Sequence, residues 1–220
     1  MVYRRFVKRF LDFLLAVILF VILFIPMGIV GIVVKLTSKG PALFVQERYG
    51  RNSRPFKLYK FRSMTDHAPQ RANSEFTDIK NYVTPFGMFI RKTSIDELPQ
   101  LWNIIKGDMS FIGPRPLAIT DVKVLRLRKQ NGGDSVLPGI SGLAQVNGRN
   151  NITDEDKALY DGRYATKVSF FVDVLLVFET ILSVLRKEGI FKEPVLDEMN
   201  QIQKAEKQND QESIDVVSKG

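Results

Sequence analysis

An uncharged apolar run near the amino terminus places the strongest constraint on this fold. Residues 13–34, about 22 in all, carry no charged side chain. A helix of about 20 apolar residues is long enough to cross the hydrocarbon core of a bilayer. The run is too long for the apolar part of a signal peptide, and no small-x-small cleavage site follows it. The segment is therefore predicted to attach the chain to a membrane.

Two features leave the path of this segment open. Pro26 lies in its middle, where it removes a backbone hydrogen bond and favours a bend. Both flanks are basic, so the charge asymmetry that orients a membrane span is weak. A re-entrant segment, which bends at Pro26 and returns to the same face, explains both features, and a simple span is an equal alternative. The basic residues are Arg4, Arg5, Lys8 and Arg9 before the run, and Lys35, Lys39, Arg48 and Arg51 after it.

The remainder reads as mainly α-helical with one small β-hairpin. Two strand-like runs, 42–47 and 56–61, flank a Gly-Arg-Asn-Ser loop and predict the hairpin. Apolar residues at helical spacing predict helices over 98–105 and 168–187, the second amphipathic and either interfacial or part of the core. The glycine-rich stretch 138–148 is expected to be irregular. We predict a membrane segment (1–36), a compact domain (37–195) and a polar flexible tail (196–220).

Composition excludes several kinds of chemistry. The chain contains no cysteine, which rules out disulfides, thiolate metal sites and a cysteine nucleophile. Its single histidine, His67, lies in a polar stretch, so neither a histidine triad nor a multi-histidine metal site can form. The net charge of +8 favours polyanionic partners such as nucleic acid, anionic lipid or phosphorylated substrates. Composition does not choose among these three.

Two adjacent carboxylates, Asp96 and Glu97, are the strongest candidates for catalysis. Taken alone, residues 94–97 match a capping box in which Ser94 begins a helix, although Pro99 fits better if Asp96 is the cap. Several cations are expected near the pair, and Arg115 is held between two prolines that fix its backbone. Carboxylates beside phosphate-binding cations favour a divalent metal, with Mg²⁺ the best candidate. The other cations are Lys60, Arg62, Arg91 and Lys92.

Four segments in order, 60–64, 94–103, 106–116 and 138–149, resemble the bacterial sugar transferase family of small monotopic phosphoglycosyl transferases. The resemblance covers residues 8 to about 189. The chain differs from many members at Leu137, where a basic residue is common, and at Leu143, where tryptophan is common. These two changes bear on sugar preference or membrane contact and leave the carboxylate pair intact.

The resemblance implies transfer of a sugar-1-phosphate from a UDP-sugar to a polyprenol phosphate, such as undecaprenyl phosphate. Asp96 would attack the β-phosphorus, release UMP and form an aspartyl-phosphosugar intermediate, while Glu97 would hold Mg²⁺. Arg91 and Arg115 would bind phosphate oxygens. Lys60 and Arg62 join them as substrate-binding candidates, and Asn147, Arg149 and Asp161 are weaker candidates for shaping the site or contacting the nucleotide.

The family also favours the re-entrant alternative. Such an N-terminal helix-break-helix, with interfacial amphipathic helices around a cytoplasmic domain, would place the site at the lipid headgroups of the bacterial inner membrane. The reaction would be the first membrane step of exopolysaccharide, capsule or glycoprotein glycan assembly, and later glycosyl transferases of that pathway are candidate partners. No nucleic-acid partner is expected.

Two other functions are consistent with parts of the sequence. A non-catalytic, basic, membrane-attached binding protein explains the charge but gives no reason for the carboxylate pair among cations. A single-stranded nucleic-acid site usually interleaves aromatic and basic residues, whereas many aromatics here lie in apolar runs. A glycosyl transferase that moves the sugar without its phosphate would release UDP rather than UMP.

Overall fold

The computed structural model describes residues 2–65, 82–148 and 152–185. Seven α-helices and four short strands make up most of this part of the chain. A π-helical turn (Tyr3–Val7) leads into α1 (Lys8–Thr37), followed by β1 (Leu43–Tyr49), β2 (Pro55–Phe61), α2 (Pro85–Lys92), α3 (Gln100–Lys106), β3 (Ser110–Ile112), α4 (Val122–Asn131), β4 (Gly139–Ser141), α5 (Leu143–Val146), α6 (Asp154–Lys167) and α7 (Phe170–Leu185). The mainly α-helical class predicted from the sequence is confirmed. The predicted tail, 196–220, and His67 lie outside the described residues.

Helix α1 is continuous through Pro26, so the predicted helix-break-helix form is corrected to one helix of 30 residues. Proline removes one intrahelical donor, but packing on both sides of it keeps the backbone helical. Leu19, Phe20 and Leu23 lie against the core before the proline, and Met27 and Val30 do so after it. By length and composition, the helical stretch Tyr3–Thr37 is the one candidate membrane span among the described residues.

One face of α1 contacts the rest of the protein along nearly its whole length. Ala16 is fully buried in a cluster with Leu101 and Ile104, and Val34 is buried in a second cluster with Phe61 and Ile90. The contacting positions recur every three or four residues, as expected for one face of a helix. The other face leaves large apolar side chains exposed, which marks a surface suited to lipid. These include Val21, Ile22, Ile25, Ile29 and Ile32.

The predicted β-hairpin is confirmed. Strands β1 and β2 pair antiparallel, with Leu43 opposite Phe61 and Tyr49 opposite Pro55. Asn52 and Ser53 in the connecting loop have φ values of 55° and 54°, a left-handed conformation that asparagine tolerates better than most residues. The carboxyl end of β2 carries Lys60 toward the carboxylate pair.

A second, parallel pair of strands corrects the expectation of irregular backbone after residue 138. Ser110 in β3 pairs with Gly139 in β4, and Ile112 pairs with Ser141. The two backbones approach so closely that a Cβ at Gly139 would lie 2.1 Å from the amide nitrogen of Gly113. Glycine is needed there because the side chain of any other residue would collide with backbone. Close packing of this kind makes glycine compatible with a strand.

Helix α7 confirms the amphipathic helix predicted near the carboxyl end of the domain. Its inner face buries Leu176 and Asp173, while Phe171 and Phe178 on the outer face are exposed. Asp173 accepts hydrogen bonds from Tyr3, Lys8 and Tyr164, at 2.7, 2.8 and 2.7 Å. This buried polar cluster fixes the amino-terminal end of α1 against α6 and α7.

Candidate active site

The Asp96–Glu97 pair lies in a short 3₁₀ turn (Ile95–Glu97) between α2 and α3. The capping-box interpretation is wrong, because the Ser94 side chain makes no capping hydrogen bond and its amide donates to the carbonyl of Arg91. Helix α3 begins later, at Gln100. Ser94 has a left-handed backbone (φ 56°), a strained conformation for a non-glycine residue beside a candidate functional group. The two carboxylates are thus available for chemistry rather than used as a helix cap.

Asp96 is buried, with 9% of its surface exposed. Burial raises the pKa of Asp96 to about 6, with a further rise from the neighbouring charge of Glu97. Lys60, Arg91 and Arg115 act in the opposite direction and favour the ionised carboxylate. Asp96 is therefore a poorly hydrated carboxylate held among three cations. Desolvation increases the reactivity of an anionic nucleophile, so this environment suits one.

Lys60 and Arg115 reach Glu97 from different parts of the chain. The Lys60 ammonium lies 2.6 Å from Glu97 Oε1, and a terminal nitrogen of Arg115 lies 3.9 Å from the same oxygen. The Arg115 side chain is 47% exposed, so its guanidinium can also meet a ligand from solvent. The structure therefore brings together the two carboxylates and three of the predicted cations, Lys60, Arg91 and Arg115.

Arg91 is positioned by residues that sequence reasoning did not single out. Its Nε donates to Ser63 Oγ at 2.7 Å, and one of its terminal nitrogens lies 3.2 Å from the sulfur of Met64. Ser63 and Met64 belong to the 60–64 segment that resembles the family, so the signal was present without a role attached to it. This contact joins the end of the hairpin to α2 beside the carboxylate pair.

Other predicted residues lie in different surroundings. Arg62 donates to the carbonyl and hydroxyl of Ser38, both at 2.7 Å, because β2 ends at Phe61 and the chain turns toward the end of α1. Asn147 donates to the carbonyl of Leu143 at the end of α5. Lys92 is exposed, and Arg149 lies outside the described residues.

Asp161 is buried in an ion pair with Arg128, which also contacts the backbone of Arg115. Two nitrogens of Arg128 lie 2.6 and 2.7 Å from Asp161 Oδ2. The side chains of Arg128 and Asp161 are 6% and 1% exposed, respectively. A third nitrogen of Arg128 donates to the backbone carbonyl of Arg115 at 2.8 Å. Asp161 thus contributes to the shape of the site rather than lying on its surface. Arg128 was missed because the sequence around it reads as an ordinary basic helix.

Comparison with known proteins tests the family that was predicted from the sequence. The sequence model of the bacterial sugar transferase family matches residues 3–187. The chain belongs to this family. The family prediction and the transferase class predicted from the sequence are therefore confirmed.

Several relatives carry more specific names. The chain is 46% identical over 158 residues to the uncharacterized sugar transferase EpsL of Bacillus subtilis, covering 72% of this chain and 77% of that protein. It is 42% identical over 189 residues to the UDP-N-acetylgalactosamine-undecaprenyl-phosphate N-acetylgalactosaminephosphotransferase of Aeromonas hydrophila, covering 84% of this chain but 45% of the relative. It is 38% identical over 159 residues to the UDP-glucose:undecaprenyl-phosphate glucose-1-phosphate transferase of Escherichia coli, covering 69% and 34%. The chain thus spans less than half of these two named transferases.

The candidate site offers carboxylates to a magnesium ion, but its described residues form no complete metal cage. Among residues 2–65, 82–148 and 152–185, no group of three or more histidine or carboxylate side chains forms a complete metal cage. Mg²⁺ is commonly held by one or two carboxylates together with substrate phosphates and water. Glu97, partly exposed beside Asp96, is a suitable carboxylate for that arrangement.

The raised pKa of Asp96 predicts that the stability difference between the wild type and Asp96→Asn depends on pH. Both proteins are measured with a chelator present, so that bound metal does not affect the comparison. Because the pKa rises from 3.8 to about 6 in the folded protein, that state binds more protons than the unfolded chain between these values. The contribution of Asp96 to stability is therefore fully present below pH 3.8 and is lost as the pH rises through about 6. Asp96→Asn should become the more stable protein by about 1–3 kcal/mol at neutral pH.

Thermal unfolding of both proteins across this pH range provides the measurement. The Tm difference should grow between about pH 4 and pH 7 and then level off. Asp154→Asn, at a side chain that is 41% exposed, provides a matched control in which the same chemical change is made outside the site. A pH-independent difference for Asp96→Asn would show that burial does not perturb this carboxyl group.

Proposed function

We propose that this chain transfers a sugar-1-phosphate from a UDP-sugar to a polyprenol phosphate and releases UMP. The observation that carries the proposal is the buried Asp96 carboxylate, held among Lys60, Arg91 and Arg115. The family and the names of the relatives support the same type of transfer. A buried carboxylate among cations suits a nucleophile that must approach a negatively charged diphosphate, because the cations offset the repulsion.

The transfer would occur in two displacements at one phosphorus atom. In the first, an oxygen of Asp96 forms a bond to the β-phosphorus of the UDP-sugar, and the bond to the bridging oxygen breaks, so UMP leaves with that oxygen. In the second, a phosphate oxygen of the polyprenol phosphate attacks the same phosphorus, and the Asp96 carboxylate leaves unchanged. The covalent aspartyl-phosphosugar intermediate divides one difficult displacement into two easier ones.

The surrounding residues would stabilise charge during both steps. Lys60, Arg91 and Arg115 would bind phosphate oxygens, and the planar guanidinium of an arginine can hold two oxygens at once. Glu97 would hold Mg²⁺, which when bound offsets charge on the diphosphate and on the departing UMP. Arg128 would keep Arg115 in place through the hydrogen bond to its carbonyl.

The packing of α1 supports placing the site at a membrane surface, with both ends of the helix on the cytoplasmic face. Arg9 near one end donates to the carbonyls of Ile104 and Ile105, and Val34 near the other end is buried against Phe61 and Ile90. A helix that crossed the bilayer would carry one end about 30 Å away from a domain on one side. Contacts of both ends with the same domain therefore favour a helix that keeps both ends on one side of the membrane over one that crosses the bilayer. A polyprenol phosphate in the bilayer could then reach a site open to a soluble UDP-sugar.

Product analysis tests the proposed reaction. Purified protein incubated with a panel of UDP-sugars, undecaprenyl phosphate and Mg²⁺ should release UMP in amounts equal to the lipid-linked product. Release of UDP instead would show transfer of the sugar without its phosphate. Absence of both nucleotides across the panel, with folded protein and each substrate verified, would favour a binding protein.

Cysteine labelling tests the membrane placement, and the cysteine-free chain gives no background. Val2→Cys and Lys39→Cys place a thiol on either side of α1, at positions that are both exposed. We expect both to resist an impermeant thiol reagent applied to intact cells and to react after the membrane is opened. Labelling of either one in intact cells would contradict placement of both ends in the cytoplasm and restore a simple span.

A further inference from the structure

A cavity of about 590 Å³ lies beside the amino-terminal end of α1, between this helix, the hairpin loop and the segment before β4. Five cationic residues line it: Arg4, Arg5, Lys8, Arg9 and Arg51. None of the residues assigned above to the reaction lines this cavity. It is therefore a second concentration of positive charge, distinct from the one around Asp96 and Glu97.

Among the described residues, carboxylates neutralise only a small part of the charge in this cavity. Lys8 is paired with Asp173 at 2.8 Å and lies 3.7 Å from Asp12. The four arginines differ, because within the described ranges none of them has a carboxylate within 4.0 Å. An anion entering the cavity would meet guanidinium groups to which the described part of the chain offers no paired carboxylate.

Two of these arginines are already held in position by backbone carbonyls. Arg4 donates to the carbonyls of Ser135 and Ala165, at 2.8 and 3.3 Å, and Arg9 donates to those of Ile104 and Ile105, at 2.6 and 3.1 Å. Such bonds fix a guanidinium without cancelling its charge, so little side-chain entropy remains to be lost when an anion binds. Arg5 and Arg51 are exposed and can close on a ligand from the rim.

The cavity and its surroundings are also apolar enough for a lipid. Val136, Leu137 and Val168 line it together with the arginines. Phe6 in the π-helical turn and Phe10 in the first turn of α1 are each 63% exposed, and Phe171 at the start of α7 is 83% exposed. Exposed phenylalanines beside Lys and Arg residues are typical of helices that lie in the membrane interface. An amphiphile with a phosphate and apolar chains matches both parts of this surface.

We propose that this basic cavity binds the phosphate group of a membrane lipid, at a site separate from the catalytic carboxylates. Guanidinium groups are well suited to phosphate oxygens, and four unneutralised charges favour a ligand with net negative charge. Anionic glycerophospholipids and polyprenol phosphates share this chemistry. Binding there would hold the amino-terminal end of α1 at the lipid headgroups, beside the Lys8–Asp173 ion pair.

The experiment compares lipid binding by the full chain and by two charge-matched variants in a non-ionic detergent. Arg5→Gln/Arg51→Gln removes two cavity charges that make no hydrogen bond to the described part of the fold. Arg126→Gln/Lys129→Gln removes two exposed charges from α4, which does not line the cavity. Calorimetric titration with dihexanoyl-phosphatidylglycerol should show Kd at least about tenfold weaker for the cavity variant, and nearly unchanged for the α4 variant. Equal effects of the two variants, or no effect of either, would overturn the proposal.

Further arms identify the source of the phosphate. Farnesyl phosphate replaces the phospholipid in one arm, titrated into proteins that also carry Arg115→Gln to weaken the catalytic site. Loss of binding in the cavity variant with either lipid supports the proposal and identifies that lipid as a ligand. If inorganic phosphate binds as tightly as both lipids, the assignment to a lipid is overturned. If Arg115→Gln alone removes all binding, the lipid binds at the catalytic site and the proposal of a separate site is overturned. These titrations measure no turnover, so they stand whether or not UMP release is observed.

Discussion

Asp96→Asn is expected to abolish sugar-phosphate transfer, with UMP release falling by at least about 1,000-fold. Asparagine has nearly the same size as aspartate, but its amide provides no anionic oxygen to attack phosphorus. Asp96 is 9% exposed, so the replacement changes charge in a closed environment with little change in packing. The fold should therefore be retained while the first displacement is lost.

Two measurements test this prediction together. UMP release reports turnover, and intact-protein mass spectrometry without lipid acceptor reports the phosphosugar adduct, which should form on the wild type and be absent from Asp96→Asn. Asp154→Asn is the matched control, since it makes the same chemical change at a partly exposed residue of α6 that lies outside the site. Near-normal UMP release by Asp96→Asn would show that another group is the nucleophile.

Arg128→Met is expected to destabilise the fold by about 3–5 kcal/mol, because it leaves Asp161 buried without its counter-charge. The two side chains are 6% and 1% exposed, and their nitrogen and oxygen atoms approach to 2.6 Å. Arg128→Met/Asp161→Leu should recover much of this loss, since an apolar pair of similar volume avoids the cost of burying charge. Chemical denaturation of the single and double variants measures both effects.

The double variant also separates stability from catalysis. It restores packing but cannot donate the hydrogen bond that Arg128 makes to the carbonyl of Arg115. We expect kcat/KM to stay roughly 10- to 100-fold below the wild type, because a small misplacement of a phosphate-binding group is costly. A double variant that recovers both stability and activity would show that Arg128 does not position Arg115.

A surface ion pair between the same two helices provides the control. Lys123 in α4 lies 2.6 Å from Glu155 in α6, and their side chains are 54% and 59% exposed. Lys123→Met/Glu155→Leu should change the denaturation midpoint little and leave kcat/KM unchanged, since solvent screens exposed charges. A large loss in this variant would indicate that the contact between α4 and α6 is sensitive to any change.

Local sequence patterns predicted the β-hairpin and helix α7, which depend mainly on neighbouring residues. Two strand-like runs around a turn loop predicted the hairpin, and apolar spacing predicted α7, because these signals come from neighbouring residues. The carboxylates and Arg115 were found through motifs whose order along the chain is diagnostic. In each case the information lay in a local pattern or in the order of short motifs along the chain.

Features created by tertiary contacts were not predictable in this way. Arg128 reads as one basic residue among several in α4, and only the fold brings it to Asp161, 33 positions later. The parallel pairing of β3 with β4 joins two runs of three residues each, too short for a recognisable period. Arg62 and Lys60 are close in sequence and look equivalent, yet the end of β2 between them gives them different partners.

The contact face of α1 gives this helix a structural role beyond that of an apolar anchor. Its 30 residues extend about 45 Å, and side chains near both ends meet fixed partners in the rest of the protein. Insertion of a single residue between Leu23 and Met27 would rotate one half by about 100° relative to the other, so that only one set of contacts could form. The length and phase of α1 are thus as constrained as its hydropathy, and an unrelated apolar segment of the same length would not be an interchangeable anchor.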